Sequence, residues 1–223
     1  MTNVLVVYKK NFESIHDDSL DHIKSSLEDA KSNHQLRVEI RARERVRRAD
    51  FIGRDLVIVL GGDGTLTSIS HNIDESTPVM GVNSHPKSDD PTGSVGFYMD
   101  STLDTFSQDL ERALSGKAIV NNLPRLRAII DSTSGNRYTT DPAMNELLIA
   151  NTHQYAPSKY HLRRGDMNTD QQSSGLIFST WLGQGAWFSH SLDPTSLSEI
   201  RKIVESGEED THYFVLARDL DHQ

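Results

Sequence analysis

Apolar runs separated by polar segments mark the first half of the chain. Val4–Tyr8 is a continuous apolar run, Asp17–Ser32 carries its apolar residues at helical spacing, and Leu36–Ile40 alternates between apolar and polar positions. These periods predict a strand, a helix and a second strand. Because strands joined by a crossover helix lie parallel in a sheet, we predict an α/β domain with a parallel sheet.

A third apolar run, Asp55–Leu60, predicts a buried strand that ends abruptly at Gly61–Thr65, which reads GGDGT. A short helix is predicted to follow over Leu66–Ile73. Glycines let the backbone approach a ligand closely, and a glycine-rich turn after a strand commonly directs N–H groups at phosphate. The carboxylate of Asp63 within this turn can bind a metal, hold a sugar hydroxyl or accept its proton. The pattern therefore indicates a phosphate-handling turn rather than an ordinary tight turn.

The character of the sequence changes near residue 118. Ser101–Gly116 carries an apolar stripe at helical spacing, which predicts a helix. From Leu126 onward, short apolar runs and the turn segment Ser132–Asn136 predict strands and a hairpin. We therefore predict two domains: an α/β domain over 1–118 that carries the glycine turn, and a mostly β domain over 119–223.

The composition narrows the kinds of site that the chain can hold. The chain has 223 residues, no cysteine and a formal net charge of −9. The lack of cysteine excludes disulfides, thiolate zinc sites and cysteine nucleophiles, and it fits a reducing compartment. The 10 histidines include no pair at the spacing of a zinc motif, so we predict no dedicated metal site in the protein.

Charge and hydropathy also limit the partners. An acidic chain is a poor general nucleic-acid binder. The basic cluster Arg41–Arg48 has no interleaved aromatic residue, so we interpret it as a solvated linker whose charge nearby acids offset, the alternative being an anion-binding patch. No apolar run reaches membrane-spanning length, and the N-terminus lacks the signal-peptide pattern. We expect a soluble, cytoplasmic protein with no nucleic-acid and no membrane partner.

Four ordered segments resemble the NAD kinase family of the diacylglycerol-kinase-like superfamily. The first is GGDGT, and the second is GVN at 81–83 followed, after a longer loop than in the usual bacterial form, by GSVGF at 93–97. The third is the pair Asn145-Glu146. The fourth is Ser173–Trp187, whose Ser-Ser-Gly-Leu and Ala-Trp look like the mitochondrial-type variant. It departs from the usual pattern at Ser174, where the family has Asp, and at Leu182, where it has a hydroxyl residue. The other departures are Trp181, Gln184, Gly185 and Trp187.

The resemblance implies an activity and a role for each matching residue. NAD kinases transfer a phosphoryl group from ATP, with Mg²⁺, to the 2′-hydroxyl of the adenosine ribose of NAD, and they are usually homo-oligomers, here expected as a dimer or tetramer. By that resemblance Asp63 is the general base. The residues that would bind phosphate are Gly61, Gly62, Gly64 and Thr65. The residues that would bind NAD are Phe97, Tyr98, Asn145, Glu146, Gly185, Ala186 and Trp187.

Two alternatives stay open at the level of sequence. One is a kinase of the same superfamily with a lipid or sugar acceptor, although Ser68-Ile69-Ser70 stands where diacylglycerol kinases place Asn-Glu. The other is a non-catalytic nucleotide-binding or regulatory protein that keeps Asp63 but has lost substrate contacts at Ser174 and Leu182. The phosphate donor, ATP or polyphosphate, is also left open.

Overall fold

The computed structural model describes residues 1–10, 15–153, 155–207 and 212–219. The chain divides into two units, Met1–Asn122 and Leu123–Gln223. Within the described ranges, no helix combines the length and the apolar composition needed to cross a bilayer.

The first unit is built on a parallel sheet. Its elements are β1 (Thr2–Tyr8), α1 (Ile15–Ala30), β2 (Leu36–Ala42), α2 (Arg48–Phe51), β3 (Leu56–Gly61), α3 (Asp63–Ile69), β4 (Val79–Asn83), β5 (Ser101–Thr102) and α4 (Phe106–Leu114). The strands pair in the order β2-β1-β3-β4-β5, and each pair is parallel. The predicted α/β architecture with a parallel sheet is confirmed.

Helices α1 and α4 share the hydrophobic core of this unit with the sheet. Every residue of β3 is buried, as expected for a central strand covered on both faces. Ile23 of α1 and Phe106 of α4 are fully buried in the same core. Between the two helices, the Oγ atoms of Ser26 and Ser107 lie 3.0 Å apart. This packing buries β3, and the glycine turn begins at the carboxyl end of that strand.

The three predicted helices of this unit begin at other residues than the sequence predicts, and α1 does so by two residues, at Ile15 instead of Asp17. The helix predicted over Leu66–Ile73 begins earlier, at Asp63. The last three residues of GGDGT therefore belong to the helix. The helix predicted over Ser101–Gly116 begins only at Phe106, because its first residues pair with β4 as strand β5.

Acidic side chains offset part of the arginine cluster. Arg41 Nε lies 2.8 Å from Glu39 Oε1 and 3.3 Å from Asp50 Oδ1. Arg43 Nη2 lies 3.1 Å from Oε1 of the adjacent Glu44. This pairing agrees with the interpretation of the cluster as a segment whose charge is balanced locally.

The described residues of the second unit form three small antiparallel sheets. Its elements are β6 (Ile129–Asp131), β7 (Arg137–Thr139), β8 (Glu146–Ile149), β9 (Ser158–Arg164), β10 (Met167–Ser173), β11 (Gly175–Ser179), α5 (Trp187–His190), α6 (Pro194–Glu205) and β12 (Phe214–Arg218). The sheets have the strand orders β12-β11-β8, β10-β9 and β6-β7. The predicted β-rich character of this half is confirmed, and Ser132–Asn136 forms the predicted hairpin turn between β6 and β7.

Helix α6 is an element of this half that the sequence prediction did not include. Asp193 Oδ1 caps the helix by accepting the N–H of Thr195 over 2.9 Å, and Pro194 occupies the first turn. Both are ordinary helix-start signals, so the helix was detectable from the sequence. Ile200 of α6 packs in one core with Ile177 of β11, which shows that the helix covers the three-stranded sheet.

Candidate active site

Asp63 is the centre of a hydrogen-bond network at the end of β3. Its Oδ2 accepts the hydroxyl of Ser94 over 3.0 Å and the N–H of Gly96 over 2.9 Å, and its Oδ1 accepts the N–H of Tyr98 over 2.9 Å. A carboxylate offers roughly four lone-pair positions. These three donors are the partners of this half-buried carboxylate among the described residues, so one acceptor position remains on Oδ1.

Glycine stands where the network requires close approach of the backbone. A Cβ at Gly62 would lie 2.7 Å from Cβ of Ser94, which is shorter than real contacts of this kind. Gly96 has φ +76°, and a Cβ there would lie 2.7 Å from Nδ2 of Asn83. The GGDGT and GSVGF motifs therefore fit together because neither carries a side chain at these points.

The residues predicted to bind phosphate differ in their surroundings. Gly61 has φ +155°, and a Cβ there would lie 2.9 Å from Cβ of Thr65. Thr65 is buried, and its main-chain N–H donates to the carbonyl of Gly62 over 2.8 Å. Gly64 is exposed, and a Cβ there would meet no atom of the described residues within 4 Å. Gly61 and Thr65 thus shape the turn, whereas Gly64 presents backbone that the fold does not crowd.

Phe97 and Tyr98 lie beside this network. Their rings meet edge to face, with centroids 5.0 Å apart and planes at 88°. The Tyr98 N–H is a donor to Asp63, and the Phe97 side chain is 45% exposed. The structure therefore brings the main chain of Tyr98 to the carboxylate, and Phe97 precedes Tyr98 with its ring partly open to solvent.

The long loop that follows β4 is folded on itself. Asp90 Oδ1 accepts the N–H and the hydroxyl of Thr92, each over 2.8 Å, and His85 Nε2 lies 3.1 Å from Asp90 Oδ2. Hydrogen bonds hold the pKa of the exposed Asp90 carboxyl below its usual range. The N–H and hydroxyl of Thr92 contribute most to this shift, and His85 contributes less. The Ser94 N–H donates to the His85 carbonyl over 2.9 Å, and Asn83 Nδ2 donates to the Ser94 carbonyl over 3.2 Å. The loop is thereby anchored at Ser94.

In the second unit, Asn145 and Glu146 stand at the head of β8. Glu146 Oε1 accepts the N–H of Phe188 in α5 over 2.8 Å. Burial raises the pKa of the half-buried Glu146 carboxyl above its usual range, and the Phe188 N–H acts in the opposite direction. The Asn145 carbonyl accepts the hydroxyl of Ser179 and the N–H of Thr180, each over 3.1 Å. Ser179 and Thr180 therefore hold the Asn-Glu pair in place.

The segment Gly185–Trp187 leads directly into the start of α5. Gly185 is exposed, and Trp187 is 44% exposed. The guanidinium of Arg218 lies over the Trp187 ring at 4.9 Å from its centroid, within the range of a cation–π contact. A base could therefore stack only on the other face of this indole. The structure brings Glu146 and this segment into one cluster through the Phe188 N–H.

Two of the departures from the family pattern, Leu182 and Ser174, lie in different environments. Leu182 is only 1% exposed, so this side chain belongs to the core of the second unit. Ser174 is exposed, and its N–H donates to the carbonyl of Arg218 over 2.8 Å. The apolar residue at position 182 therefore contributes to packing rather than presenting an apolar surface to a ligand.

Ser94 and Gly96 are site residues to which the sequence interpretation gave no role. Both lie in GSVGF, part of one of the four segments that resemble the family. The signal that could have found them is topological: this segment follows β4, the strand next to β3, and the carboxyl ends of adjacent parallel strands lie at the same edge of the sheet.

Comparison with known proteins decides the family. The sequence model of the ATP-NAD kinase N-terminal domain matches residues 3–118, more than half of the chain. The chain belongs to the ATP-NAD kinase family. The predicted resemblance is thereby confirmed.

Proteins similar in sequence to this member of the ATP-NAD kinase family are named as NAD or NADH kinases. The NAD kinase of Syntrophobacter fumaroxidans is 33% identical over 147 residues, 63% of this chain and 48% of that protein. The NADH kinase of Arabidopsis thaliana is 39% identical over 88 residues, 35% of this chain and 28% of that protein. The chain thus spans about half the length, or less, of these relatives.

Two crystal structures share the fold. An NAD kinase from Archaeoglobus fulgidus in complex with ATP has a TM-score of 0.63 at 19% identity, with 86% of this chain and 66% of that chain covered. Yeast NADH kinase complexed with NADH has a TM-score of 0.66 at 16% identity, with 86% and 57% covered. At these sequence identities, the structural similarity establishes the fold of the chain and does not identify its substrates.

Proposed function

We propose that this member of the ATP-NAD kinase family phosphorylates the 2′-hydroxyl of the adenosine ribose of NAD, using ATP and forming NADP. Family membership supports a phosphoryl transfer to a dinucleotide. The observation that carries the proposal is the Asp63 carboxylate, which three donors orient next to the glycine turn. Within the described part of the chain, its Oδ1 keeps one acceptor position for a hydroxyl group.

Asp63 would act on the acceptor hydroxyl in this reaction. Oδ1 would accept its hydrogen bond and take its proton as the bond from the hydroxyl oxygen to the γ-phosphorus of ATP forms. The bond from that phosphorus to the bridging oxygen breaks in the same step and releases ADP. Because the transition state of phosphoryl transfer is loose, the carboxylate contributes mainly by positioning the hydroxyl and by accepting the proton late. Gly62 and Gly64 would bring main-chain N–H groups to the phosphates, in a turn that Gly61 and Thr65 shape.

A magnesium ion would arrive with ATP rather than occupy a site built by the protein. Among the described residues, no group of three or more His, Cys, Asp or Glu side chains could hold a metal ion. Kinases hold Mg²⁺ largely through substrate phosphates and one or two carboxylates, so a closed protein cage is not required. When bound, the ion would neutralise charge on the transferred phosphoryl group.

We assign the binding of NAD to two groups of residues, each described within its own unit. In the first unit, Phe97 and Tyr98 would wall the site beside Asp63. In the second unit, Asn145 and Glu146 would hold ribose hydroxyls and the adenine amino group, because an amide both donates and accepts whereas a carboxylate accepts. The residues that would contact the base are Gly185, Ala186 and Trp187. A cytoplasmic location, which the lack of cysteine favours, and a homo-oligomeric state, dimer or tetramer, which rests on the family resemblance, are further parts of this proposal.

A coupled assay on the full chain tests the proposal. Purified protein is incubated with NAD, ATP and Mg²⁺, and NADP is measured with an NADP-specific dehydrogenase. We expect NADP formation in the wild type and none in Asp63→Asn. Near-wild-type turnover in that variant would contradict the assignment of Asp63. A thermal shift with NAD but no NADP would instead indicate a binding protein of this fold.

Asp74→Asn provides the matched control. Asp74 Oδ1 also organises a turn of the first unit, accepting the N–H of Ser76 over 2.9 Å and the hydroxyls of Ser76 and Thr77 over 2.8 and 2.9 Å. The same chemical change there removes a turn-holding carboxylate outside the proposed site. We expect this variant to keep the turnover of the wild type.

A further inference from the structure

We infer that Ser94 is the positioning residue of the Asp63 carboxylate: its hydroxyl holds Oδ2, so that Oδ1 is the oxygen that receives the acceptor hydroxyl. The inference deepens the proposed kinase function and rests on it. The evidence for it is the geometry of the Ser94 side chain, which forms hydrogen bonds with both the carboxylate and the main-chain N–H of Asp63.

The contact between Ser94 and Asp63 is reciprocal. The Ser94 hydroxyl donates to Asp63 Oδ2 over 3.0 Å, and the Asp63 N–H donates back to Ser94 Oγ over 3.2 Å. The Gly96 N–H lies 2.9 Å from Asp63 Oδ2 and 3.3 Å from Ser94 Oγ, so it is shared between the two acceptors. One hydroxyl group therefore fixes the backbone and the side chain of Asp63 relative to each other.

The two oxygens of Asp63 are consequently not equivalent. Oδ2 accepts two hydrogen bonds, from Ser94 and Gly96, and each oxygen of a carboxylate has about two acceptor positions. Oδ1 accepts one, from the Tyr98 N–H, which is its single donor in the described ranges. A substrate hydroxyl can join this network at Oδ1 without displacing a protein donor.

Ser94 is itself fixed by its main chain. Its N–H donates to the His85 carbonyl over 2.9 Å, and its carbonyl accepts the Lys87 N–H over 2.8 Å and Asn83 Nδ2 over 3.2 Å. These bonds use no atom of the Ser94 side chain. Replacing Ser94 by alanine therefore removes the hydroxyl and leaves the anchors of the loop in place, which makes the role of the hydroxyl separable from that of the loop.

The kinetic test compares Ser94→Ala and Ser94→Thr with the wild type. For Ser94→Ala we expect kcat to fall by about 10-fold to 100-fold, the scale of a small misplacement of a reacting group. KM for NAD and for ATP should stay within about threefold, because the contacts that bind substrate are unchanged. Ser94→Thr keeps the hydroxyl and should recover most of kcat. Ser32→Ala is the control, since it removes a hydroxyl that donates to the Asp29 carbonyl over 2.7 Å at the end of α1.

A second measurement tests the contact without turnover. In the ¹H–¹⁵N spectrum of the full chain, Ser94→Ala should move the Asp63 amide proton upfield, because this N–H loses its acceptor. Asp63→Asn should move the Gly96 and Tyr98 amide protons upfield, because they lose a charged acceptor. An unchanged Asp63 amide proton in Ser94→Ala would overturn the inference whatever the activity of the protein.

The outcomes separate the inference from the proposed function. If the wild type forms no NADP, the proposed function fails, and the amide shifts still decide whether Ser94 holds Asp63. If the wild type is active and Ser94→Ala keeps kcat within about twofold, the inference fails alone. A variant with raised KM, a lowered melting temperature and unchanged kcat would show a merely structural role and would also overturn it.

Discussion

The main-chain N–H of Phe188 donates a 2.8 Å hydrogen bond to Oε1 of Glu146, a residue that lies 42 positions earlier in the chain. The bond ties the head of β8 to the first turn of α5. It joins two segments that the sequence offered separately, the Asn-Glu pair and the stretch that ends in Trp187. Glu146 is thereby placed in a half-buried position, where its charged form is less well solvated than in water.

Glu146→Gln should change the pH dependence of stability. Burial raises the pKa of the folded carboxyl above its ordinary value of 4.5, so the folded state holds this proton more tightly than the unfolded state. The contribution of Glu146 is therefore most favourable below the unfolded pKa and is lost as the pH rises through the folded pKa. Relative to the wild type, Glu146→Gln should gain stability as the pH rises across this window.

Urea unfolding of both proteins at several pH values between about 4 and 8 measures this difference. Glutamine keeps a carbonyl acceptor for the Phe188 N–H, whereas Glu146→Ala removes the acceptor and serves as the comparison. A constant difference in unfolding free energy between Glu146→Gln and the wild type across the range would contradict the prediction.

Gly61→Ala and Gly64→Ala should have different effects, because Gly61 is required for folding whereas Gly64 is proposed to contact phosphate. Gly61→Ala should destabilise the protein by about 2–4 kcal/mol, because its Cβ would strike the Thr65 side chain. Gly64→Ala should leave stability unchanged or raise it by up to about 1 kcal/mol, since Gly64 lies uncrowded in α3. Thermal unfolding measures both effects.

Gly64→Ala should nevertheless lower kinase activity. Under the proposed function, the methyl group stands where the main chain approaches phosphate, so the KM for ATP should rise. A Gly64→Ala variant that is as stable and as active as the wild type would remove Gly64 from the proposed phosphate site.

Asp63→Asn should cost stability as well as turnover. The carboxylate accepts the Ser94 hydroxyl and two main-chain N–H groups, and an amide would turn an NH₂ group toward one of these donors. We expect a loss of about 1.5–3 kcal/mol, the usual range for hydrogen bonds to a charged group. Denaturant unfolding of Asp63→Asn beside Asp74→Asn measures it. Equal stability of Asp63→Asn and the wild type would argue that the network is absent in solution.

Trp187→Ala should weaken the binding of NAD. Stacking of a base on an aromatic side chain is worth about 1–3 kcal/mol, and Trp187→Phe should keep part of that free energy. Titration calorimetry with NAD compares the two variants with the wild type. Identical affinities in all three proteins would exclude Trp187 from the base site.

Arg218→Met should have a smaller effect than the loss of the Trp187 ring. The guanidinium lies over that ring at 4.9 Å, and an exposed cation–π contact contributes about 0.5–1 kcal/mol. The emission spectrum of the chain, which contains 2 tryptophans, should change when the cation is removed. An unchanged spectrum would show that Arg218 does not cover the indole in solution.

The family and the architecture were accessible from local patterns in the sequence. Continuous apolar runs at Val4–Tyr8 and Asp55–Leu60 are typical of buried parallel strands, and both occur in the central sheet. The Asp193-Pro194 start of α6 was equally local, and its absence from the prediction reflects a neglected signal. Helix α4 is a different case, because the pairing of Ser101 with β4 overrides an amphipathic pattern that extends over both segments.

Short stretches of sequence were enough to specify the parallel sheet, the glycine turn at the end of β3 and the ATP-NAD kinase family, because periodicity and motif spacing are properties of such stretches. Three features required the folded chain: which atoms Asp63 bonds, the burial of Leu182, and the contact between Glu146 and Phe188. Those contacts join residues far apart in the chain. They exist because adjacent strands and the packed core bring distant backbone donors to one carboxylate, and hydrogen-bond geometry of that kind is not encoded in any single segment.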